Sequence, residues 1–371
     1  LEQFLAVYPG SRKAGAALHL LGRSHEEKKQ RHQALAVYAK LVFLHPGDAK
    51  HGPALKSLRR ILAKEKAYRD RHEALAKMID EAPAGGSRAD RRYAYLEFLS
   101  KLDADKLHER VLAEHIRFRR DFSLDPRLPH LDLWAAVSWA NKGASRESAL
   151  AFRKFELLYP DSPSGPYARF TRAELLTQEL GEHKEAVLIL RALLNELPGN
   201  KYAARALYLL AEVEERRFKD HGAAIRDYRR VVTDYRESSL APDALLEIAE
   251  IRSKRMKDYS EAVAVLHEFV DVFPRDIRGA EVLKQAGDLQ AGRLKNYEAA
   301  AASYARVAEA YPDSKIAVEM LLKAGKLHEE KTGRLDAAES YYRQALDNYP
   351  DSKKRGQLEK RLAKIRERRG G

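Results

Sequence analysis

The chain has 371 residues, a net charge of +13 and no cysteine. The absence of cysteine excludes disulfide bonds and thiolate metal sites. The longest apolar stretch, residues 131–140, is interrupted by Asp132 and is far too short to span a bilayer. No signal peptide is visible, and the opening segment has the pattern of a helix end followed by a turn. We therefore expect a targeting or anchoring segment to precede Leu1.

The positive charge is concentrated at the two ends of the chain. Residues 1–80 carry a net charge of +8 and residues 351–371 carry +6, which leaves −1 for residues 81–350. A basic end can hold an acidic partner, nucleic acid or an anionic membrane surface. It can equally be an ordinary solvated helix face, which is the interpretation we prefer.

One period of 38 residues runs through the chain. Similar turn segments place Pro160, Pro198, Arg236, Pro274, Pro312 and Pro350 at that step. A small residue recurs at Ala173, Ala211, Ala249, Gly287 and Gly325, and a large apolar one at Leu190, Tyr228, Leu266, Tyr304 and Tyr342. Self-similarity at a fixed step indicates a repeat array, in which each unit buries its apolar face against its neighbours.

The sequence pattern of each repeat predicts two helices. In the last repeat, residues 314–330 have apolar residues at helical spacing, and residues 337–349 place Tyr342 and two alanines on one face. Pro350 cannot continue the second helix, and we expect Asp351–Ser352 to cap the next one. The small-residue column predicts that the two helix backbones of a repeat approach closely.

These columns resemble the tetratricopeptide repeat, in which large, small, alanine, aromatic, alanine and proline positions follow in order. The last repeat supplies Leu321, Gly325, Ala338, Tyr342, Ala345 and Pro350 in those positions. The resemblance implies an all-α fold, a right-handed superhelical solenoid of stacked antiparallel helical hairpins. The period departs from the family's period of roughly 34 residues. One extra residue lies between the two helices and three lie between repeats.

The pattern is not equally regular along the chain. We predict one array over residues 1–371, with N-terminal repeats at 1–82, an irregular middle at 83–130 and regular repeats at 131–352. A basic capping helix follows at 353–371, in which three apolar residues cover the last hairpin and the basic residues face water. A two-lobed array is the alternative.

We find no signature of catalysis. The phosphate-binding glycine motifs and the HExxH zinc motif are absent. His108 and His115 are seven residues apart with Glu114 nearby, but a zinc site needs three or four converging ligands. We therefore predict that the protein is not an enzyme and has no catalytic residue, metal site, cofactor or small-molecule substrate.

The resemblance implies that the first helices line a concave groove, at positions three before, one after and four after the small-residue column. The projected partner-binding residues are Tyr167, Phe170, Glu174, Tyr208, Glu212, Glu215, Leu246, Glu250, Asp288 and Leu322. Apolar anchors beside a row of acids suit a basic, partly apolar peptide segment of a protein partner. Acids in the groove disfavour nucleic acid there, because phosphates need cations.

We therefore predict a non-catalytic protein–protein interaction scaffold. The YPDS-type repeat ending resembles bacterial envelope arrays, including outer-membrane assembly lipoproteins and Tol-Pal-associated coordinators. This resemblance implies a place in the periplasm or cell envelope, within an assembly or secretion complex, with the cytoplasm as the alternative. Two other functions stay open: the helical superstructure of a larger enzyme or regulator, and nucleic-acid binding through the basic ends. A membrane contact would require an anchor before Leu1.

Overall fold

The computed structural model describes residues 1–82, 85–102 and 107–370. Pro83 and Ala84, at the predicted start of the irregular middle, lie outside the described residues. Within these ranges the structure has α-helices and no β-strand. The α-helices are α1 (Glu2–Val7), α2 (Ala14–Glu27), α3 (Arg31–Leu44), α4 (His51–Lys64), α5 (His72–Asp80), α6 (Arg88–Leu102), α7 (His108–Asp121), α8 (Leu128–Asn141), α9 (Ser145–Leu158), α10 (Gly165–Gln178), α11 (His183–Glu196), α12 (Ala203–Val213), α13 (His221–Asp234), α14 (Leu240–Glu250), α15 (Tyr259–Val272), α16 (Gly279–Leu289), α17 (Tyr297–Ala310), α18 (Ala317–Leu327), α19 (Leu335–Asn348) and α20 (Arg355–Gly370). In the described part of the chain, no helix combines the length and apolarity that crossing a membrane requires.

The helices form two compact units, Leu1–Ile189 and Leu190–Gly371. In the second unit, α12 to α19 pair as hairpins, and each helix packs against the next in chain order. In the first unit, α2 pairs with α3 and α8 pairs with α9 in the same way. Packing in chain order is the architecture of an all-α solenoid, as the repeat columns predict.

Each hairpin is closed by a small residue of the first helix against a large residue of the second. Gly287 lies against the ring of Tyr304, and Gly325 lies against the ring of Tyr342. A Cβ atom added to Gly325 would stand 2.3 Å from a ring carbon of Tyr342, which is far inside van der Waals contact. The small residue therefore sets how closely the two helices approach.

A π-helical turn ends each first helix of the second unit. These turns are Glu214–Phe218, Ile251–Arg255, Gln290–Leu294 and His328–Thr332. A π turn closes each hydrogen-bonded ring with one residue more than an α-helix does. The extra residue predicted between the two helices is therefore accommodated inside the end of the first helix.

A residue with positive φ follows the first helix at the same period. In the second unit it is Lys219, Lys257, Lys295 and Gly333, with φ between 56° and 69°. Lys29, Gly143 and Gly181 stand on the same 38-residue step in the first unit and also have positive φ. The left-handed conformation reverses the chain direction, and lysine adopts it at some cost in strain.

The turns between repeats are closed by one polar side chain on the 38-residue step. In each turn this side chain accepts a hydrogen bond from the backbone N–H of the residue two positions later in the chain. The residues at this position are Asp48, Ser162, Asn200, Ser238, Asp276, Ser314 and Ser352. Ser352 accepts a hydrogen bond from the N–H of Lys354, and its carbonyl accepts one from the N–H of Arg355, the first residue of α20. Ser352 thus binds a free N–H at the entry to the next helix, as predicted. Side-chain caps also occur on second helices, at Asp220, Asp258 and Asn296.

The first unit departs from packing in chain order around α4 and α5. Helix α3 packs against α4, the next helix in the chain, and also against α6. At the contact of α3 with α6, the Tyr95 hydroxyl donates to the Ala36 carbonyl at 3.0 Å. The rings of Phe43 and Phe98 lie 5.5 Å apart at the same contact. Helix α3 therefore serves two hairpins, which explains why the period is hard to follow in this part of the chain.

Helix α20 covers the end of the second unit. Leu358 and Ile365 are fully buried there. The basic residues at 353–369 are exposed apart from Arg361, which is partly buried, and several of them pair with carboxylates that the last hairpin presents to the helix. Arg361 pairs with Glu329 at 2.9 Å, and Arg369 pairs with Glu339 at 2.7 Å.

We expect Gly325→Ala to lower the free energy of unfolding by about 1–3 kcal/mol, because the added methyl group overpacks against the Tyr342 ring. Gly292→Ala is the matched control. Nothing lies within 4 Å of a Cβ at Gly292, which sits in a helical turn, so alanine should stabilise by roughly 0.5–1 kcal/mol. Urea denaturation of both variants measures the difference. Equal effects would contradict the packing contact.

Candidate functional site

The projected residues of the first unit lie on α10. Phe170 is 1% exposed and belongs to the core. Tyr167 and Glu174 are half-buried, and the ring of Tyr167 meets that of Phe152 edge-on at 6.1 Å. Phe170 therefore cannot act as a surface anchor, contrary to its projected position.

The position four residues after the small-residue column is turned inward. Thr177, Glu215, Ser253 and Glu329 are each at most 6% exposed. The hydroxyls of Thr177 and Ser253 donate to the backbone carbonyls of Ala173 and Ala249. The position is buried both on the regular helix α10 and within the π turns of the second unit, so its burial does not depend on the π turn. Glu215 is therefore part of the interior of the repeat.

The remaining projected residues of the second unit have mixed positions. Tyr208, Glu212, Leu246 and Glu250 are half-buried on α12 and α14. Asp288 on α16 is exposed, accepts a hydrogen bond from the Tyr304 hydroxyl at 2.5 Å and pairs with Lys323 at 3.5 Å. Leu322 is 3% exposed and packs in the core. Two neighbouring first helices, α12 and α14, therefore carry four of the projected residues that remain accessible; the others are Tyr167 and Glu174 on α10 and Asp288 on α16.

Glu247 is a functional candidate that the projection missed. It is half-buried on α14. The guanidinium of Arg216 forms ion pairs with both Glu247, at 4.0 Å, and Glu212, at 2.5 Å. The equivalent position is glutamine in the next repeat, Gln285, and then basic, in Lys323 and Arg361. This reversal of charge along one column was the signal available in the sequence. We call Tyr208, Glu212, Leu246, Glu247 and Glu250 the acidic face.

The acidic face carries more negative than positive charge. Burial raises the pKa of Glu247, and the carboxylates of Glu215, Glu250 and Glu212 raise it further against the opposing effect of Arg216. Burial also raises the pKa of Tyr208, with Glu247 as the strongest of the charges that add to it. The Lys254 ammonium pairs with Glu250 at 3.0 Å and neutralises one edge.

An aromatic pair lies under the acids. The ring of Tyr208 meets that of Tyr228 edge-on, with centroids 5.0 Å apart. Tyr228 is fully buried, whereas Tyr208 on α12 and Leu246 on α14, the next first helix, are both partly accessible. The face thus combines apolar contact area with charge, as recognition of a basic and partly apolar segment requires.

A second polar cluster, in the first unit, has all its members paired. Asp132 accepts hydrogen bonds from His115 Nε2 and the Tyr159 hydroxyl, each at 2.7 Å, and from Arg119. Burial opposes these bonds, but they lower the pKa of Asp132 to about 2. Glu114 is bound to Lys40 at 2.6 Å. The cluster ties α7, α8 and α9 together, and no group of metal-ligating side chains converges in the described residues.

Two sequence profiles described as tetratricopeptide repeat match the chain at residues 16–47, 205–238, 243–276 and 289–353. The chain is a tetratricopeptide-like repeat protein. The acidic face lies on the first helices of two adjacent matched segments. Tetratricopeptide repeats indicate protein partners, and their fold is typical of non-catalytic scaffolds. The protein is accordingly a protein–protein interaction scaffold.

Solved structures similar to this chain are bacterial repeat proteins. A tetratricopeptide repeat protein from Parabacteroides merdae is 17% identical, with 81% of this chain and 99% of that chain covered and a TM-score of 0.37. PilF from Pseudomonas aeruginosa is 18% identical, with 65% and 97% covered and a TM-score of 0.35. PilW, described as a type IV pilus biogenesis factor, is 15% identical, with 65% and 99% covered and a TM-score of 0.34. No curated protein matches the sequence of this tetratricopeptide-like chain. Similarity at this level carries no function over to it.

We expect Glu247→Gln to stabilise the protein at pH 7 and to have no effect on stability near pH 4. A carboxyl whose pKa is raised in the folded state binds protons more tightly there than when unfolded. The ionisation of Glu247 therefore lowers the free energy of unfolding as the pH rises from the pKa of the unfolded state through the higher pKa of the folded state. Glutamine does not ionise, so the variant does not lose this stability. Denaturation midpoints between pH 4 and 7 measure it, with the exposed Glu237→Gln as control. A pH-independent difference between Glu247→Gln and wild type would contradict the electrostatic account.

Proposed function

We propose that the protein is a non-catalytic scaffold that binds a basic, partly apolar segment of a partner protein on the acidic face. The observation that carries the proposal is the combination on α12 and α14 of accessible carboxylates with Tyr208 and Leu246. Charged groups at such a surface steer encounter and set orientation, and the apolar groups supply contact area.

The acids of the face are only partly neutralised within the chain. Arg216 is shared among Glu212, Glu215 and Glu247, at distances of 2.5, 3.8 and 4.0 Å. Its pKa is raised by these carboxylates, although burial acts in the opposite direction. A partner that brings further cations would therefore meet a favourable potential.

The alternative of nucleic-acid binding through the basic C-terminal end receives less support. Arg361, Arg368 and Arg369 of α20 pair with carboxylates of the last hairpin, which reduces the charge available to phosphates. If the chain is instead the helical part of a larger enzyme or regulator, the acidic face would bind a segment of that larger protein.

We expect Glu212→Lys combined with Glu250→Lys to slow association with the partner several-fold and to flatten its salt dependence. Tyr208→Ala combined with Leu246→Ala should mainly speed dissociation, because it removes apolar contact area. The partner is first captured from a lysate of the source organism, and surface plasmon resonance then measures the rates.

Glu237→Lys combined with Glu309→Lys is the matched control. It makes the same change of charge at exposed positions outside the acidic face, and partner binding should stay at the wild-type level. Each variant must keep the helical circular dichroism of wild type. The proposal fails if both acidic-face variants bind as wild type does, while neutralising Lys353 and Lys354 abolishes binding.

We further propose that the scaffold works in a bacterial envelope assembly or secretion complex, which rests on the YPDS-type repeat ending. Fractionation of cells that express the full-length protein from its own gene should place it in the periplasmic or membrane fraction. A periplasmic enzyme and a cytoplasmic enzyme serve as fraction markers. Recovery with the cytoplasmic marker alone would reject the envelope setting and leave the binding proposal intact.

A further inference from the structure

Four residues of the large second-helix column are tyrosines, and three of them make a three-part contact of one kind, although the carboxylate and the cation do not come from one fixed position of the repeat. The hydroxyl donates to a carboxylate on the first helix of its own repeat, and that carboxylate pairs with a cation on the next first helix or on α20. The sets are Tyr38 with Glu26 and Arg60, Tyr304 with Asp288 and Lys323, and Tyr342 with Glu329 and Arg361.

The geometry of the three contacts is closely similar. The hydroxyl-to-carboxylate distances are 2.8 Å for Tyr38, 2.5 Å for Tyr304 and 2.9 Å for Tyr342. The cation completes the contact at 3.5 Å from Lys323 and 2.9 Å from Arg361. The repeat thus has a built position for a cation beside a buried tyrosine hydroxyl.

The fourth tyrosine, Tyr228, lacks this contact. It is 0% exposed, and no described residue is a hydrogen-bond partner of its hydroxyl. Glu212 and Glu215 stand where Asp288 and Glu329 bind Tyr304 and Tyr342, but they pair with Arg216. Glu247 stands where Lys323 and Arg361 supply the cation. A buried hydroxyl without a partner is costly, and a third carboxylate adds to that cost.

We propose that an arginine side chain of the bound segment takes the missing cation position, contacting Glu212, Glu247 and the hydroxyl of Tyr228. The inference rests on the proposed function and names the group that the acidic face recognises. A guanidinium suits the position because it presents several N–H donors in one plane and can reach more than one oxygen. The exposed Arg216 side chain, now shared among the carboxylates, has room to turn toward solvent.

Charge complementarity identifies the occupant. Burial raises the pKa of Tyr228, and the nearby charge of Glu247 raises it more than any other single residue does. Two of the three cations in the complete contacts are arginines. Metal-ligating groups do not converge here among the residues described, so an organic cation fits the site better than a metal ion.

The test uses two fluorescein-labelled peptides of sequence Ala-Leu-Arg-Leu-Ala and Ala-Leu-citrulline-Leu-Ala, both blocked at the ends. Citrulline keeps the shape of arginine and removes its charge. Fluorescence anisotropy at low salt should show that wild type binds the arginine peptide about tenfold more tightly, as expected for one charge-assisted contact. No preference for arginine in wild type would overturn the inference.

Glu247→Arg should remove that preference, because it places inside the chain the cation that the bound segment would supply. It should also raise the denaturation midpoint, since the new arginine can pair with carboxylates of the preceding first helix as Arg361 pairs with Glu329 and Glu330. Glu237→Arg makes the same charge change at an exposed position outside the site and should keep the preference. A Glu247→Arg variant that still prefers arginine would overturn the inference.

Tyr228→Phe tests the hydroxyl without changing the charge of the face. It should reduce the arginine preference several-fold and leave stability unchanged or raised, because the lost hydroxyl has no partner in the chain. Tyr342→Phe, which breaks a complete contact, should destabilise and keep the preference. Equal preference in Tyr228→Phe and wild type would count against the site.

Failure of this inference is distinguishable from failure of the proposed function. If Glu212→Lys with Glu250→Lys weakens binding of the captured partner while Glu247→Arg does not, the acidic face binds the partner by another arrangement. If neither variant changes partner binding, both the face and the arginine position are rejected.

Discussion

The contact between a small residue on the first helix and a large residue on the second is the constraint on which each repeat depends. Gly325 accepts the ring of Tyr342 at a distance that leaves no room for a methyl group. Because the ring is held there, its hydroxyl reaches the carboxylate of Glu329, which in turn holds Arg361 of the next helix. Backbone approach, burial of the aromatic ring and the link to the neighbouring helix therefore follow from one contact.

The 38-residue period is kept by local devices that add little to the core. The π turn at the end of the first helix takes up an extra residue, and the residue of positive φ that follows reverses the chain. At the other end of the hairpin, Ser352 and its equivalents close the turn by binding a backbone N–H. These devices act on the backbone, so each repeat can vary its exposed side chains while the packing between helices is retained.

The sequence was sufficient to predict the fold class, the helical hairpins and the small and large columns, because all of these follow from spacing and residue size. It was insufficient for the side chain four residues after the small-residue column, because a polar residue there, Thr177 as well as Glu215, suits a groove surface by its type and is nevertheless buried. The projection therefore counted Glu215 as a surface residue although it is buried. Phe170 and Leu322 were misplaced for a different reason: being apolar, they fit a groove anchor and a core position equally well. Glu247 was missed because it lies two residues before the small-residue column, a position that the projection did not include. The charge reverses along that position of the repeat.

The repeats also supply an internal reference for judging which residues are unusual. A buried tyrosine near carboxylates would attract little attention in an unrelated fold, but here three tyrosines of the same column show a carboxylate accepting from the hydroxyl and a cation pairing with that carboxylate. Tyr228 keeps the packing role of its column and lacks the hydrogen bond, the nearby Glu212 and Glu215 pair with Arg216, and Glu247 stands at the cation position. Natural sequences tend to break their own local rules where a function requires it. The carboxylate of Glu247 at the cation position makes the surface around Tyr228 acidic, so the repeat whose tyrosine hydroxyl is unpaired is also the one that attracts a cation.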